Sequence, residues 1–219
     1  MKIYINKFEY LNFTKHSGKM KGIPSISTNK YTNENCIKLM NSNLNTICKH
    51  CFVDKTSAIY KDLTPSLEHN SQILKNRLLT NDEISNLIDV LGNAQIFRFE
   101  SFGDLNNEIH LMNYVKIAKA YPRTKFALFT KHYKIVLEYF QKGLKLPKNI
   151  TLVLSAPFIN KGLNDDFTSM YKKYHNRVIT FAVTNDKKNP FINCGKRKCI
   201  ECRNCYDAKN PKDVIELLK

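Results

Sequence analysis

The chain has 219 residues, and its 35 basic against 19 acidic side chains give a formal net charge of +16 at pH 7. This length allows one large domain or two small ones with a substantial core. No apolar run reaches the roughly eighteen residues of a membrane-spanning helix, and the segment Met1–Lys7 lacks the apolar core of a signal peptide. We therefore expect a cytoplasmic protein without a membrane partner.

The N-terminal quarter predicts short elements joined by polar chain. Residues 2–4 and 23–27 favour strands, and Pro24 confines the second of these to the first residue of a strand or to a sheet edge. Residues 36–41 favour a short helix.

Residues 56–79 carry apolar side chains at helical spacing. Thr64 followed by Pro65 suits an N-cap and the first position of a helix. The segment Thr80–Glu83 has the pattern of a capping box. It predicts a helix that continues until Gly92, a residue type that commonly follows the end of a helix.

From residue 94 the chain alternates between strand, polar loop and helix. Strands are predicted at residues 94–99, 126–129, 150–154 and 177–183. Helices are predicted at residues 105–120, 134–141 and 165–175. With residues 23–27 as a further strand, this rhythm predicts a parallel sheet covered by helices. The expected fold is α/β, an incomplete parallel (β/α) barrel over residues 1–189 followed by a Cys-rich metal-binding module over residues 190–219.

Four of the seven cysteines lie within twelve residues of the C-terminal tail, and we call them the tail cysteines: Cys194, Cys199, Cys202 and Cys205. An odd number of cysteines in a reducing compartment argues against a disulfide scaffold. Gaps of four, two and two residues let one short loop aim four thiolates at one zinc ion or one iron–sulfur cluster. Basic side chains nearby would offset the thiolate charge: Lys196, Arg197, Lys198 and Arg203.

The other three cysteines, Cys36, Cys48 and Cys51, are the N-terminal cysteines. Three protein thiolates leave one position open on a tetrahedral metal or an iron–sulfur cluster, and catalysis requires an open position. His50 is a possible fourth ligand, which would close the site. Both cysteine groups follow a predicted strand, and ligands of parallel α/β sheets bind at the carboxyl ends of the strands. The two groups could therefore lie at the same end of one sheet.

Polar residues also follow the predicted strands. Asp104 could cap the helix predicted from residue 105, or help to anchor the amine of a cofactor together with Glu100. Arg98 could form a structural ion pair with Glu100, which lies two residues on and on the same strand face. Lys131 and Ser155 follow their strands and could meet a carboxylate or a ribose.

Several motifs resemble those of the phage gene product 88 family and its bacterial prophage relatives. These motifs are Lys19–Ser27, Ile47–Phe52, Phe97–Leu105, Phe126–Lys131 and the segment from Cys194 to Tyr206. The resemblance covers nearly all of the chain.

A three-cysteine site after the first strand of a partial barrel also resembles the radical S-adenosylmethionine (SAM) enzymes. The resemblance implies that the N-terminal cysteines bind a [4Fe–4S] cluster whose fourth iron is chelated by the amino and carboxylate groups of SAM. The implied cofactor-binding residues are Glu100, Ser101, Gly103, Asp104, Lys131 and Ser155. The usual spacing in that superfamily is C-x3-C-x2-C, whereas this chain has C-x11-C-x2-C because the first cysteine is displaced.

The implied activity is reductive cleavage of SAM followed by hydrogen abstraction from a nucleobase or a peptide. The tail cysteines would hold an auxiliary cluster, and a flavodoxin or ferredoxin would supply electrons. The alternative is a zinc-stapled, basic nucleic-acid-binding protein without catalysis. Lysine supplies 29 of the 35 basic residues, and arginine, which makes bidentate base and phosphate contacts, supplies only six. A single polynuclear site shared by both cysteine groups is a third possibility.

Overall fold

The computed structural model describes residues 3–6, 10–195, 197–207 and 212–218. Its strands are β1 (Ile3–Asn6), β2 (Phe13–His16), β3 (Pro24–Ile26), β4 (Ile96–Phe99), β5 (Lys125–Thr130), β6 (Ile150–Ser155), β7 (Val178–Thr184) and β8 (Val214–Leu217). They form one eight-stranded sheet in chain order. Strands β1 to β3 are antiparallel, and all pairs from β3 to β8 are parallel. No pairing joins β1 to β8 among these residues, so the sheet is open and mostly parallel.

Nine α-helices lie within the described ranges. They are α1 (Glu34–Met40), α2 (Phe52–Ile59), α3 (Leu63–Asn76), α4 (Asn81–Ser85), α5 (Ile88–Leu91), α6 (Glu108–Ala120), α7 (Tyr133–Gln141), α8 (Asp165–Lys172) and α9 (Cys199–Cys202). Single 3₁₀ turns occur at Gly18–Met20, Lys30–Thr32 and Ile47–His50. In the part of the chain that the structure describes, every helix is too short or too polar to cross a membrane.

Each parallel strand sends alternate side chains to two faces of the sheet. The outer face packs on helices α6, α7 and α8 and includes buried Phe97, Phe99, Phe126 and Leu128. The ring of Phe99 stacks on Tyr114 of α6 with centroids 4.0 Å apart. The inner face is lined by Ile96, Ala127, Phe129, Val153 and Ile179. The predicted α/β class with a mostly parallel sheet is therefore confirmed.

The connection from β7 to β8 carries the tail cysteines and lies on the inner face. Tyr206 is 2% exposed and packs there beside Cys199 and Cys205. Its carbonyl oxygen accepts hydrogen bonds from Thr151 Oγ1 (2.9 Å) and Arg177 Nη2 (3.0 Å). Helices α6 to α8 lie on the outer face and the strand order keeps one direction, so this crossover has the opposite hand to those before it. The strong right-handed preference of such connections does not predict this path.

Several predicted boundaries need correction. Thr64 is not an N-cap, because α3 already begins at Leu63, and Pro65 lies within the first turn, where no intrahelical N–H is required. The capping box of Thr80 with Glu83 is confirmed. The helix predicted from there to Gly92 is instead two short helices, α4 and α5, and Gly92 has a right-handed φ of −59°.

Strands β2 and β8 were not predicted. Each has only four residues, and a segment of that length gives too few alternations to stand out from its polar surroundings. Their backbone hydrogen bonds come from neighbours distant in sequence, such as β7 for β8.

Asn70 of α3 joins the antiparallel and parallel parts of the sheet. This side chain is 1% exposed. Its Oδ1 accepts a hydrogen bond from Asn12 N (2.8 Å), and its Nδ2 donates to the carbonyl oxygens of Asn12 and Ser27 (2.9 Å each). Asn12 precedes β2 and Ser27 follows β3, so one amide satisfies three backbone groups at two strand ends.

Replacing Asn70 with alanine should lower the free energy of unfolding by roughly 2–4 kcal/mol, since each buried polar group left unpaired costs about 1–3 kcal/mol. The matched control is Asn76→Ala, at the exposed end of the same helix. Denaturant unfolding of both variants measures the difference. Equal stability of the two variants would show that Asn70 does not join the strands as described.

Candidate metal and cofactor site

The loop Glu100–Asp104 leaves the carboxyl end of β4 in an unusual backbone conformation. Glu100 has φ of 59° and Gly103 has φ of 70°, both in the left-handed region. The hydroxyl oxygen of Ser27 accepts hydrogen bonds from the backbone N–H groups of Ser101 (3.0 Å) and Phe102 (3.2 Å). The loop is thereby fixed to the end of the neighbouring strand β3.

The carboxylate of Glu100 is buried beneath this loop and hydrogen-bonded. It accepts from Thr28 N (3.2 Å), from Thr28 Oγ1 (3.1 Å to Oε2) and from the Tyr114 hydroxyl (2.5 Å). Nδ1 of His110 accepts from Asn106 N (3.1 Å), so Nε2 carries the hydrogen. Nε2 lies 3.2 Å from Glu100 Oε1 without hydrogen-bond alignment. The Glu100 carboxylate is thus held by Thr28, which follows β3, and by Tyr114 of α6.

Asp104 holds the next strand end rather than the next helix. Its Oδ1 accepts from Thr130 Oγ1 (2.6 Å) and Leu105 N (2.8 Å), and its Oδ2 accepts from Lys131 N (2.8 Å). The predicted cap was wrong, because α6 begins at Glu108 and is capped by Asn107. Asp104 therefore couples the loop after β4 to the loop after β5.

The predicted ion pair between Arg98 and Glu100 was also wrong. The guanidinium of Arg98 lies over the ring of Phe129, 3.7 Å from its centroid, on the inner face. Its Nε donates only to the backbone oxygen of Glu100, at 3.4 Å. The alternation of strand faces fails here because Glu100 lies beyond β4 in the left-handed conformation, which turns its side chain to the opposite side of the sheet.

Two chain segments bring the N-terminal cysteines to this loop. Asn33 caps α1, because its Oδ1 accepts from Cys36 N (3.0 Å) while its Nδ2 donates to the carbonyl oxygens of Asp104 (2.9 Å) and Leu105 (3.0 Å). Cys48 lies in the turn Ile47–His50, where Ile47 N donates to the carbonyl of Pro157 at 2.9 Å. These contacts hold the cysteine-bearing segments over the carboxyl ends of the parallel strands. We call this edge of the sheet the rim.

All three N-terminal cysteines line one small cavity of about 50 Å³ at the rim. Its other lining residues are Lys30, Leu39, Met40, Gly103, Asp104 and Lys131.

Burial raises the pKa of the Cys36 and Cys48 thiols, and the Lys131 charge opposes that rise at both. Lys30 pairs with Asp54 at 2.5 Å, whereas Lys131 has no ion pair among the described residues. His50 is exposed and does not line the cavity.

The remaining predicted cofactor residues lie near the cavity without lining it. Glu100 and Ser101 are 3% and 6% exposed, and the Ser101 hydroxyl is a buried group without a hydrogen-bond partner in the described structure. Ser155 ends β6, and its carbonyl oxygen accepts a hydrogen bond from the Tyr133 hydroxyl. Of the six predicted residues, Gly103, Asp104 and Lys131 face the cavity itself.

The tail cysteines occupy a different place, on and beside the inner face. Cys194 forms a parallel bridge with Glu216 of β8, and Cys199 and Cys205 pack against the apolar inner face. Burial raises the pKa of Cys205 to about 12, and the charge of Arg98 opposes this rise. The tail cysteines do not all lie at the end of the sheet that carries the N-terminal cysteines. The tail crosses the inner face of the sheet instead of following its rim.

One cation that faces the tail thiols comes from the turn before β3. Lys19 Nζ donates to Cys194 Sγ at 3.3 Å.

Among the basic residues predicted to offset the thiolate charge, Arg203 pairs with Asp207 (2.7 Å) and Lys198 lies 3.9 Å from Glu201. Arg197 Nη2 lies 4.0 Å from Cys202 Sγ, and Lys196 lies outside the described residues. Lys19 could have been noticed as part of the motif Lys19–Ser27, but nothing in that motif indicates a contact with the tail.

Neither cysteine group is arranged around a single ion. Among the described residues, no three His, Cys, Asp or Glu side chains converge closely enough to hold one metal ion. A tetrahedral zinc site requires such convergence, with sulfur about 2.3 Å from the metal. An iron–sulfur cluster spreads its ligands more widely, because each cysteine binds a different iron.

A second cavity of about 330 Å³ lies further along the rim, at the carboxyl ends of β6 and β7. It is lined by Asn160, Lys161, Gly162, Ala182, Val183, Thr184, Asp186, Asn189 and Ile215. Asn160 has φ of 63°, and its Oδ1 accepts from Thr184 Oγ1 at 2.9 Å. The rim thus offers a thiol-lined cavity and a larger one lined by both polar and apolar residues.

These features define an α/β protein with an open, mostly parallel sheet, one thiol-lined cavity at its rim and a second thiol group on its inner face. The family model described as gene product 88 matches residues 12–216, and the chain belongs to this phage gene product family. No curated protein and no solved structure matches the chain.

Gly103 is required by the close approach of the loop to Thr28. A Cβ at Gly103 would lie 2.4 Å from the carbonyl oxygen of Thr28 and 2.8 Å from its Oγ1. Gly143 has a similar φ of 77°, but a Cβ there would meet nothing within 4 Å. A substitution at Gly143 therefore tests backbone strain alone, whereas one at Gly103 tests backbone strain together with a steric clash.

We expect Gly143→Ala to lower the free energy of unfolding by about 1–2 kcal/mol, the usual left-handed penalty. Gly103→Ala should cost about 1–3 kcal/mol more, because the loop or Thr28 must also move. Chemical unfolding of the two variants gives this difference directly. If both variants lose the same stability, the close packing of Gly103 on Thr28 is refuted.

Proposed function

We propose that this protein is a cytoplasmic iron–sulfur metalloenzyme that resembles the radical SAM enzymes and uses an incomplete barrel. The observation that carries the proposal is the single rim cavity lined by Cys36, Cys48 and Cys51. Cys36 is separated by eleven residues from Cys48, yet all three thiols reach this cavity because Asn33 and the Pro157 contact fasten their segments there. A rim position is where parallel α/β sheets bind their ligands.

The chemistry of this donor set favours a [4Fe–4S] cluster over zinc. Three thiolates would leave one iron without a protein ligand, which is the open position that catalysis requires. Lys131 and Lys30 border the same cavity and would offset the negative charge of the thiolates. Bound SAM and a reduced cluster together would supply reductive cleavage of the cofactor and hydrogen abstraction from a substrate.

The residues of the chain would orient the cofactor. Lys131 lines the cavity and would pair with a carboxylate, and the loop Glu100–Asp104 would supply acceptors for an amine. Asp104 fixes the backbone of Lys131, while Gly103 allows the loop to approach without a side chain. Ser155 ends β6, which lies between β5 and β7 in the sheet, and would meet the ribose of the cofactor.

The wider assignment includes an auxiliary cluster on the tail cysteines and a flavodoxin or ferredoxin as reductant. The auxiliary centre would serve electron transfer or substrate binding. The substrate would be a nucleobase or a peptide, and the net charge of +16 favours the nucleobase.

Protein purified without oxygen should contain about eight irons and eight sulfides per chain, since two [4Fe–4S] clusters hold that number. The triple variant with Cys36, Cys48 and Cys51 changed to alanine should lose half of the iron. The variant with Cys199, Cys202 and Cys205 changed to alanine should lose the other half. Elemental analysis with paramagnetic resonance spectra measures both.

Zinc without sulfide in the wild-type protein would overturn the proposal. Loss of all iron from either triple variant would instead indicate one polynuclear site shared by both groups. Circular dichroism of each variant checks that the sheet is retained.

Lys131 should bind the carboxylate of SAM. In the wild type, added SAM should change the paramagnetic resonance signal of the N-terminal cluster, and Lys131→Met should require at least about tenfold more SAM for the same change. That factor corresponds to about 1.4 kcal/mol, close to the lower end of the range for one charge-assisted hydrogen bond. Lys134→Met is the control, because Lys134 is 79% exposed on α7. An unchanged SAM dependence in Lys131→Met would remove this residue from the cofactor site.

The second candidate function is a zinc-stapled nucleic-acid-binding protein. The charge of +16 is the observation that favours it. It predicts a steep decrease of nucleic-acid affinity with salt, because each phosphate contact releases counterions. Binding that is absent or insensitive to salt would exclude this function.

A further inference from the structure

Lys19 connects the N-terminal part of the chain with the tail. It lies in the 3₁₀ turn Gly18–Met20, just before β3, and its side chain is 22% exposed. Its Nζ donates to Glu216 Oε1 at 2.5 Å and to Cys194 Sγ at 3.3 Å. Cys194 and Glu216 are themselves paired in a parallel bridge. A cation and a carboxylate thus meet beside one sulfur of the tail group.

This arrangement has a direct consequence for a metal centre on the tail cysteines. The reduction potential of an iron–sulfur centre depends on hydrogen bonds to its sulfurs and on nearby charge. A donor and a positive charge favour the reduced form, which carries one more negative charge. A carboxylate at the same place favours the oxidised form.

Other cations are less directly placed. Arg98 contacts the Phe129 ring, the Met20 sulfur and the Glu100 carbonyl, and it acts on the tail thiols through its charge. Arg197 Nη2 lies 4.0 Å from Cys202 Sγ, farther than the 3.3 Å between Lys19 Nζ and Cys194 Sγ. The tail lysine Lys198 is exposed and lies near Glu201. Among the lysines of the described residues, Lys19 makes the hydrogen bond to a tail sulfur.

We propose that Lys19 and Glu216 act as positioning residues that set the reduction potential of the tail centre, in opposite directions. The inference rests on the proposed iron–sulfur function. It adds that residues from the start of the chain and from β8 tune a centre whose ligands all lie in the tail. The electron that reduces the centre comes from the external reductant, and the two side chains change only the relative stability of the two forms.

The test is a dithionite titration of the wild-type chain and three variants, followed by paramagnetic resonance. The tail signal is the one that SAM does not perturb. Lys19→Met should decrease the ratio of reduced to oxidised tail centre about tenfold at a fixed potential, which is about 59 mV for one electron. Glu216→Gln should increase that ratio. Lys21→Met is the matched control, because Lys21 is an exposed lysine two residues away, and it should change nothing.

Opposite shifts distinguish tuning from a merely structural role, which would lower iron content in both variants. If Lys19→Met loses its iron, Glu216→Gln decides the question, and an unchanged or lowered ratio there overturns the inference. If the wild-type protein contains iron and sulfide but Lys19→Met leaves the reduction potential of the tail centre unchanged, this inference alone is refuted. A wild-type protein that contains only zinc refutes the proposed function as well.

Discussion

The hydrogen bonds of Thr28 hold the rim of this protein together. Its hydroxyl contacts both oxygens of the Glu100 carboxylate and the carbonyl of Asp104, and its N–H donates to Glu100 as well. Buried carboxylates are costly unless they are hydrogen-bonded, so these contacts stabilise the loop in one conformation. Asp104 then fixes Lys131, and Asn33 joins Cys36 to the Asp104 carbonyl. The positions of the cavity residues therefore depend on one junction between β3 and β4.

The left-handed backbone of Glu100 allows the loop Glu100–Asp104 to turn sharply at the end of β4. A non-glycine residue in this conformation costs roughly 1–2 kcal/mol, which the Tyr114 and Thr28 hydrogen bonds offset. The turn sends the carboxylate to the outer side and leaves Arg98 on the inner face. Two groups that neighbour each other in sequence thus serve different sites: Glu100 stabilises the rim, and Arg98 faces the tail.

The parallel core could be predicted from sequence because local periodicity is sufficient there. The strand at residues 150–154 and the capping box of Thr80 both match what the residues alone indicate. The path of the tail could not be predicted, since the contacts of Tyr206 with Thr151 and Arg177 join residues far apart in the chain. For the same reason the roles of Thr28 and Lys19 could not be predicted, since their partners are distant in the sequence. At the site, the cysteine spacing indicated a shared site after a strand, and the structure brings Cys36, Cys48 and Cys51 to one cavity that Gly103 and Asp104 also line.

The tail takes the place that the interior side chains of a closed barrel would fill. A closed (β/α) barrel packs its interior with layers of branched side chains from its own strands. This sheet is open, and its inner face is covered instead by residues of the tail: Cys194, Cys199, Ile200, Cys205 and Tyr206. Metal binding contributes free energy to folding when it orders such a segment. A centre on the tail would therefore stabilise the inner face whatever its redox role, and its ligands would stay close to Arg98 of β4 and to Lys19 of the turn before β3.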